Sequence, residues 1–280
     1  MIAIRLMNTT ALPFILRLRS QAGWNQTEAD LRRFLDLSAG GSFVAEWNGV
    51  PAGTVCTFVF GSTAWIAMVL VEESLRGRGI GKALMSHALD YLDGLGVERV
   101  RLDATPLGRP VYEKLGFVAE YNILRYQGEV PRVVSAPASK QLVGAGRGLL
   151  DQVRHLDAEV TRADRSALLG TLYRSRTNFQ MIERNSTVEG FVSIRPGARA
   201  WHIGPCVATD SDGGRLLDWA FYRTRNMSVY VDVPKHNRAP IVAVEAIGLR
   251  VQRTLTRMCR GPRPAEQTEM IWASSGPEKG

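Results

Sequence analysis

Between positions 76 and 82 the chain reads Arg76-Gly77-Arg78-Gly79-Ile80-Gly81-Lys82, the segment whose residue types and spacing point most directly to chemistry. It stands between a strand-like stretch and an amphipathic helical pattern, so its amides would project at the positive end of a helix dipole. The glycines permit positive φ and close approach of an anion, while Arg76, Arg78 and Lys82 add charge-assisted contacts. Such a turn holds a phosphate or pyrophosphate. The signature G-x-x-x-x-G-K-[ST] fails here, because its first glycine would fall on Arg76 and its hydroxyl on Ala83. The fingerprint G-x-G-x-x-G, started at Gly77, would need glycine at Lys82 and a preceding parallel strand.

The elements that must position this loop follow from hydrophobic spacing. Ser42 to Ala45 and Gly53 to Phe60 read as strands joined by the Asn48-Gly49 turn, and Ala64 to Val71 as a third, giving an antiparallel meander. Ile80, Ala83, Leu84, His87, Ala88, Tyr91 and Leu92 recur at helical spacing until Gly94 and Gly96 stop the pattern, which packs His87 inward. Val100, Leu102 and Ala104 alternate with polar residues as a strand, and Pro110 to Leu115 forms a short helix before Gly116-Phe117. Upstream, Gly23-Trp24-Asn25-Gln26 leads into a helix capped by Thr27.

The chain has 280 residues, 45% of them hydrophobic and 22% charged, enough for one large or two ordinary domains with a buried core and too apolar for a disordered polymer. No uncharged apolar run reaches the length of a spanning helix, since Arg5, Arg17 and Arg19 interrupt the N-terminal stretch. A soluble protein without membrane partner is expected. Cys56, Cys206 and Cys259 give no C-x-x-C spacing, and the four histidines are scattered, so neither a disulfide framework nor a metal site is indicated and a reducing cytoplasm fits. Residues 1–130 balance 13 basic against 13 acidic residues, whereas 131–280 hold 22 against 14. Between Arg125 and Leu149 the periodicity fades into Gly128, Pro131, Ser135, Pro137, Ser139, Gly144, Gly146 and Gly148, a connector that places a linker at 131–150 between domains at 1–130 and 151–280.

The second domain repeats the first. Ala64-Trp65 and Val71 match Ala200-Trp201 and Val207; Leu102-Asp103-Ala104 matches Val231-Asp232-Val233; Gly116-Phe117 matches Gly248-Leu249. The interval from Val71 to Asp103 is 32 positions and that from Val207 to Asp232 is 25, so the second copy is shorter where the first carries its glycines.

The motif R-x-x-G-x-G after Val69-Leu70-Val71, with Val111-Tyr112-Glu113-Lys114-Leu115-Gly116-Phe117 downstream, resembles the GCN5-related N-acetyltransferases over roughly residues 40 to 120. The resemblance implies an α/β (α+β) fold: two tandem acyl-CoA N-acyltransferase folds, each a splayed, mixed, mostly antiparallel sheet flanked by helices. In that family the two central strands part and the pantetheine arm of acetyl-CoA enters the gap as an added strand would. It assigns Val69, Leu70 and Val71 to the pantetheine and acetyl group, and Arg76, Gly77, Arg78, Gly79, Ile80, Gly81 and Lys82 to the pyrophosphate. Many relatives place a pantetheine-holding asparagine before the short helix; here Thr105 and Gly108 must substitute.

Transfer to an amine needs a neutral nucleophile, a stabilised oxyanion and a proton for the departing thiolate. Asp103 is the candidate base, or else a surface carboxylate paired with Arg101 or Arg99. Amides near Leu70 and Val71 are the oxyanion donors, and Tyr112 the general acid or else a core aromatic. Trp24 and Asn25 are candidate acceptor contacts, with Trp24 alternatively stapling its loop to the sheet.

The second copy reads Ala208-Thr209-Asp210-Ser211-Asp212-Gly213-Gly214-Arg215 where the pyrophosphate would sit, with Val244 in place of the tyrosine and Asn237 at the missing asparagine position. It is expected to be degenerate and to shape the acceptor pocket, with Asp232, exposed at its own splay, either an anchor for a cationic substrate or a turn carboxylate before Pro234. Arg250, Arg253, Arg257, Arg260 and Arg263 lack interleaved aromatics; a solvated face, an internal ion-pair network or a field for anionic CoA explains them more simply than a nucleic-acid partner. The arrangement resembles bacterial tandem-domain acetyltransferases. It implies transfer from acetyl-CoA to a small-molecule primary amine in a ternary complex, with a protein amino group as the alternative acceptor and a non-catalytic acyl-CoA-binding regulator as the alternative class.

Overall fold

β-branched and aromatic residues alternate through most of the strand segments, and the structure joins those segments into one continuous sheet. A computed structural model describes residues 1–280 except 39, 138–140 and 147, and the side chains of 210 and 211; Ser139 of the expected linker therefore lies outside the described residues. In chain order the first half contains β1 (Ile2–Leu6), α1 (Leu12–Gln21), α2 (Glu28–Leu37), β2 (Ser42–Trp47), β3 (Val50–Phe60), β4 (Thr63–Val71), α3 (Ile80–Gly94), β5 (Arg99–Ala104), α4 (Arg109–Glu113) and β6 (Val118–Glu129). The second contains β7 (Leu142–Gly144), α5 (Leu150–Thr161), α6 (Ser166–Tyr173), β8 (Phe179–Arg184), β9 (Thr187–Arg195), β10 (Trp201–Ala208), α7 (Asp210–Arg223), β11 (Ser228–Pro234), α8 (Arg238–Ala246), β12 (Arg250–Arg260) and β13 (Ile271–Ala273). The repeat of three strands, helix, strand, helix, strand is present in both.

The strand order is β1-β2-β3-β4-β5-β12-β6-β11-β10-β9-β8-β7, with β13 paired to β10. The last long strand of each half is thus exchanged: β12 pairs with β5, and β6 pairs with β11. β6 and β12 also pair with one another along most of their length, welding the two halves. One apolar core packs α3 against β3 and β4; another gathers α7 under β9, β10 and β11; a third, around Phe34, Phe58, Phe179 and Phe191, spans both halves.

β4 and β5 run parallel but pair only from Thr63–Arg99 to Trp65–Arg101, after which they part. The cause lies on the other edge of β4. Thr54 faces Leu70 and Cys56 faces Ala67, so Met68 and Val69 together oppose Val55 as a bulge. Met68 adopts the left-handed conformation (φ 54°), and Thr54 Oγ1 donates to its carbonyl at 2.8 Å. The bulge bends β4 away from β5. β10 repeats the device at Gly204-Pro205, between its pairings Ile203–Ile194 and Cys206–Val192, and parts from β11 after Ile203. Among the described residues no helix is long and apolar enough to cross a membrane. All three cysteines are buried and unbridged.

Candidate active site

The gap between β4 and β5 opens into a cavity of about 300 Å³. Val69, Leu70 and Val71 wall one side, Asp103 and Thr105 the other, and Tyr112 and Gly108 close the α4 end. A groove of about 310 Å³ over Gly77, Gly79, Gly81 and Lys82 shares Val69, Val71, Arg76, Gly108 and Tyr112 with that cavity, so the two form one channel.

The groove fits a pyrophosphate. Gly77 (φ 78°) and Gly79 (φ 81°) lie in the left-handed region, and a Cβ at either would meet nothing within 4 Å, leaving the backbone open to an anion. Gly79 caps α3, whose first-turn amides have no partner within the helix. Arg76 and Lys82 line the groove, whereas Arg78 lies outside the lining, its guanidinium over the half-buried Trp47 ring at 5.5 Å. Ile80 also lines the groove but is 1% exposed and anchors α3 in the core. The open edges of β4 and β5 beyond Trp65 and Arg101 suit an added extended chain such as pantetheine.

Tyr112 lines both cavity and groove, its ring set edge-on to Phe117 at 6.1 Å. Burial pushes its phenol up to about 12, and at neutral pH it is protonated, as an ordinary phenol is. Thr105 Oγ1 and carbonyl both accept from the Gly108 amide, at 3.1 and 3.0 Å, tightening the shortened turn before α4.

Asp103 lines the cavity but pairs with neither Arg99 nor Arg101. Its two oxygens accept from Arg257 Nε and Nη2 at 2.9 and 3.0 Å, across the exchanged strand β12. Burial pushes the carboxyl up, against the pull of Arg257. Arg101 instead binds Glu266 (2.5 and 2.8 Å) and Glu120 (2.8 Å).

Of the three expected acceptor contacts, Trp24 lines the cavity. Asn25 does not; it is buried, donating to Ala200 O at 2.9 Å and accepting from the amides of Arg199 and Ala200, so it ties its loop to the second half. Asp232 is not exposed: it is 1% accessible and gripped by Arg125 Nε and Nη2, both at 2.7 Å. Its charge is already matched, which removes it as an anchor for a cationic substrate. Burial works to raise this carboxyl, but Arg125 outweighs it and holds it below the usual range.

Residues the spacing did not single out complete the acceptor end: Gln26, Arg125, Leu255 and Glu278, together with Arg253 from the basic run. Glu278 accepts from Gln26 Nε2 and from Lys279 Nζ (3.3 Å), with Arg195 at 3.9 Å. No local pattern ties Arg253, Leu255 and Glu278 to the first half, because β12 and the segment 274–280 arrive from the far end of the sequence.

The second splay is filled by the chain itself. β13 pairs antiparallel with β10 beyond its separation from β11, and the Ser274 amide donates to Asp232 O at 2.8 Å. Asn237 donates to the carbonyls of Glu269 (2.9 Å) and Ile271 (3.1 Å), holding this strand in place. At the start of α7, a Cβ on Gly213 would collide with the Trp272 indole. Asp212 is taken up by Arg184, at 2.5 and 2.6 Å. The side chains of Asp210 and Ser211 lie outside the described residues. Among the described residues no group of His, Cys, Asp and Glu could hold a metal ion.

Comparison with known proteins accords with this geometry. Residues 10–117 match the acetyltransferase (GNAT) family, and residues 153–273 match an acetyltransferase (GNAT) domain. The chain is 24% identical over 229 residues to the uncharacterized N-acetyltransferase YitH of Bacillus subtilis, covering 80% of this chain and 79% of that protein. Over 57 residues, 20% of this chain and 39% of the other, it is 40% identical to the glucosamine 6-phosphate N-acetyltransferase of Trypanosoma brucei brucei. The fold superposes on a Pyrococcus horikoshii protein described as a candidate acetyltransferase, with TM-score 0.84, 21% identity and coverage of 100% and 96%. It also superposes on a tandem GNAT protein from the clavulanic acid biosynthesis pathway, with TM-score 0.64, 16% identity and coverage of 94% and 100%. With a family match in each half and a splayed sheet in each, the chain belongs to the GNAT acetyltransferases as a tandem-domain member.

Proposed function

We propose that the first half transfers the acetyl group of acetyl-CoA to a primary amine of a small molecule, by direct attack within a ternary complex. The observation that carries this reading is the open gap beyond Trp65 and Arg101, continuous with the glycine cradle and walled by Tyr112. When bound, acetyl-CoA supplies the activated acyl group. Arg76, Lys82 and the first-turn amides of α3 hold its diphosphate. The bulged stretch Met68–Leu70 presents backbone donors toward the developing oxyanion. The ammonium proton passes to water in the cavity, since both oxygens of Asp103 are taken by Arg257, and Tyr112 donates to the leaving sulfur.

The acceptor end of the cavity, with Trp24, Gln26 and Glu278 in its wall, suits a small molecule better than a polypeptide segment. The second half acts as a scaffold: its splay holds β13, and its strand β12 and segment 274–280 complete the acceptor end. The test is thiol release from acetyl-CoA by the purified chain with a panel of primary amines, including amino sugars because one relative, matched over 57 residues, is named for glucosamine 6-phosphate. Thiol release supports the reading. If acetyl-CoA raises the melting temperature but no amine elicits thiol, the protein is a CoA-responsive binder; ligand at about 100 times Kd should add about 2.7 kcal/mol.

A further inference from the structure

β12 pairs with β5 only from Arg260 to Thr256; beyond Ala104, β5 ends and β12 continues alongside β6 alone. Leu255 and Arg253 therefore reach past the end of β5 into the cavity wall. Strand alternation puts Arg253, Leu255 and Arg257 on one face, the face on which Arg257 meets Asp103.

Three arginines around it are matched by carboxylates. Arg257 is bound by Asp103, Arg101 by Glu266 and Glu120, and Arg125 by Asp232. Arg253 has no carboxylate partner among the described residues; its hydrogen bond runs from Nε to Gln252 Oε1 at 2.7 Å. The carboxylates nearest to hand are committed elsewhere: both oxygens of Asp232 to Arg125, and Glu278 to Gln26, Lys279 and Arg195. Burial, with repulsion from Arg125, disfavours the guanidinium charge, so an arriving anion would be stabilised there. A guanidinium fork matches a carboxylate or phosphate through two parallel hydrogen bonds.

We propose that the acceptor is an amine that also carries an anionic group, a carboxylate or a phosphate, and that Arg253 binds this anion and so determines acceptor specificity. The proposal rests on the acetyltransferase reading given above, and its experiment separates the two. Wild-type chain and Arg253→Gln are assayed for thiol release with matched pairs: phenethylamine against phenylalanine for the carboxylate, and ethanolamine against O-phosphoethanolamine for the phosphate. The anionic member of at least one pair should be preferred in kcat/KM by on the order of 10- to 100-fold, and the pair that shows it identifies the group. In Arg253→Gln that preference should fall toward unity, chiefly through KM, with partial recovery in Arg253→Lys; the melting shift given by acetyl-CoA shows that each variant is folded. Equal or greater use of the neutral amines by the wild type overturns the anion proposal and leaves the acetyltransferase intact. A preference that survives in Arg253→Gln overturns the assignment to this residue. Absence of thiol from every amine, with acetyl-CoA still bound, overturns the acetyltransferase reading and the proposal with it.

Discussion

Arg257 grips Asp103 across a strand boundary between the two halves, and Arg125 grips Asp232 in the mirrored sense; each arginine rides on the exchanged strand of the opposite half. The pairs are buried to 1% at both aspartates, where an unmatched charge is costly. Arg257→Met is therefore expected to cost about 3–5 kcal/mol in urea unfolding, because it strands a buried carboxylate. Adding Asp103→Leu should recover much of that loss. Additive costs in the double-mutant cycle would show that the ion pair is not the coupling element.

Tyr112 stands where cavity and groove meet, its phenol protonated at neutral pH. A group that only donates a proton to the departing sulfur acts in the transition state and adds little to ground-state binding. Tyr112→Phe should lower kcat by about 10²- to 10⁴-fold, while the melting shift given by acetyl-CoA stays that of the wild type. A variant with undiminished turnover would leave Tyr112 a packing residue against Phe117.

The parts of this arrangement that are readable from sequence are those built from neighbours. The meander, the stripe of α3 and the glycine turn announce themselves by period and residue type within a dozen positions, and duplication made Asp103 and Asp232 equivalents. Their partners were hidden, since Arg257 lies 154 positions from Asp103 and Arg125 lies 107 from Asp232. Exposure of Asp232 was expected because nothing local announces that β6 crosses into the second half. The bulge at Met68 also carries no compositional mark, whereas its counterpart does: Gly204-Pro205 interrupts a strand pattern as bulges commonly do. Glu278 arrives from the far C-terminal segment, which has no periodicity tying it to the first half.

Trp272 lies over Gly213 at the start of α7, and β13 occupies the second splay, so the place of a second acyl carrier is filled by protein. Isothermal titration with acetyl-CoA should accordingly give one site per chain. Trp272→Ala should reduce stability by about 3–5 kcal/mol, as for other large aromatic truncations, and leave the stoichiometry at one, because β13 is still tied by Asn237 and the Ser274 amide. Two sites of comparable affinity would mean that β13 is displaced by ligand.

Asp30 links stability to pH. It closes the capping box of α2 with Thr27 and meets Arg33 at 2.9 Å and Arg195, from the second half, at 3.3 Å. Burial alone would raise its pKa, but Arg195, Lys279 and the Thr27 hydrogen bonds outweigh it and bring the carboxyl to about 2 from its usual 3.8. The folded chain thus takes up this proton less readily than the unfolded chain. The resulting stabilisation, about 2 kcal/mol, is complete above roughly pH 5 and disappears as the pH falls through 4 toward 2. In urea unfolding the gap between wild type and Asp30→Asn should therefore be about 2 kcal/mol wider at pH 6 than near pH 2. A gap that does not change with pH would mean that Asp30 contributes through capping geometry alone, with its ion pairs to Arg33 and Arg195 adding nothing to the folded state.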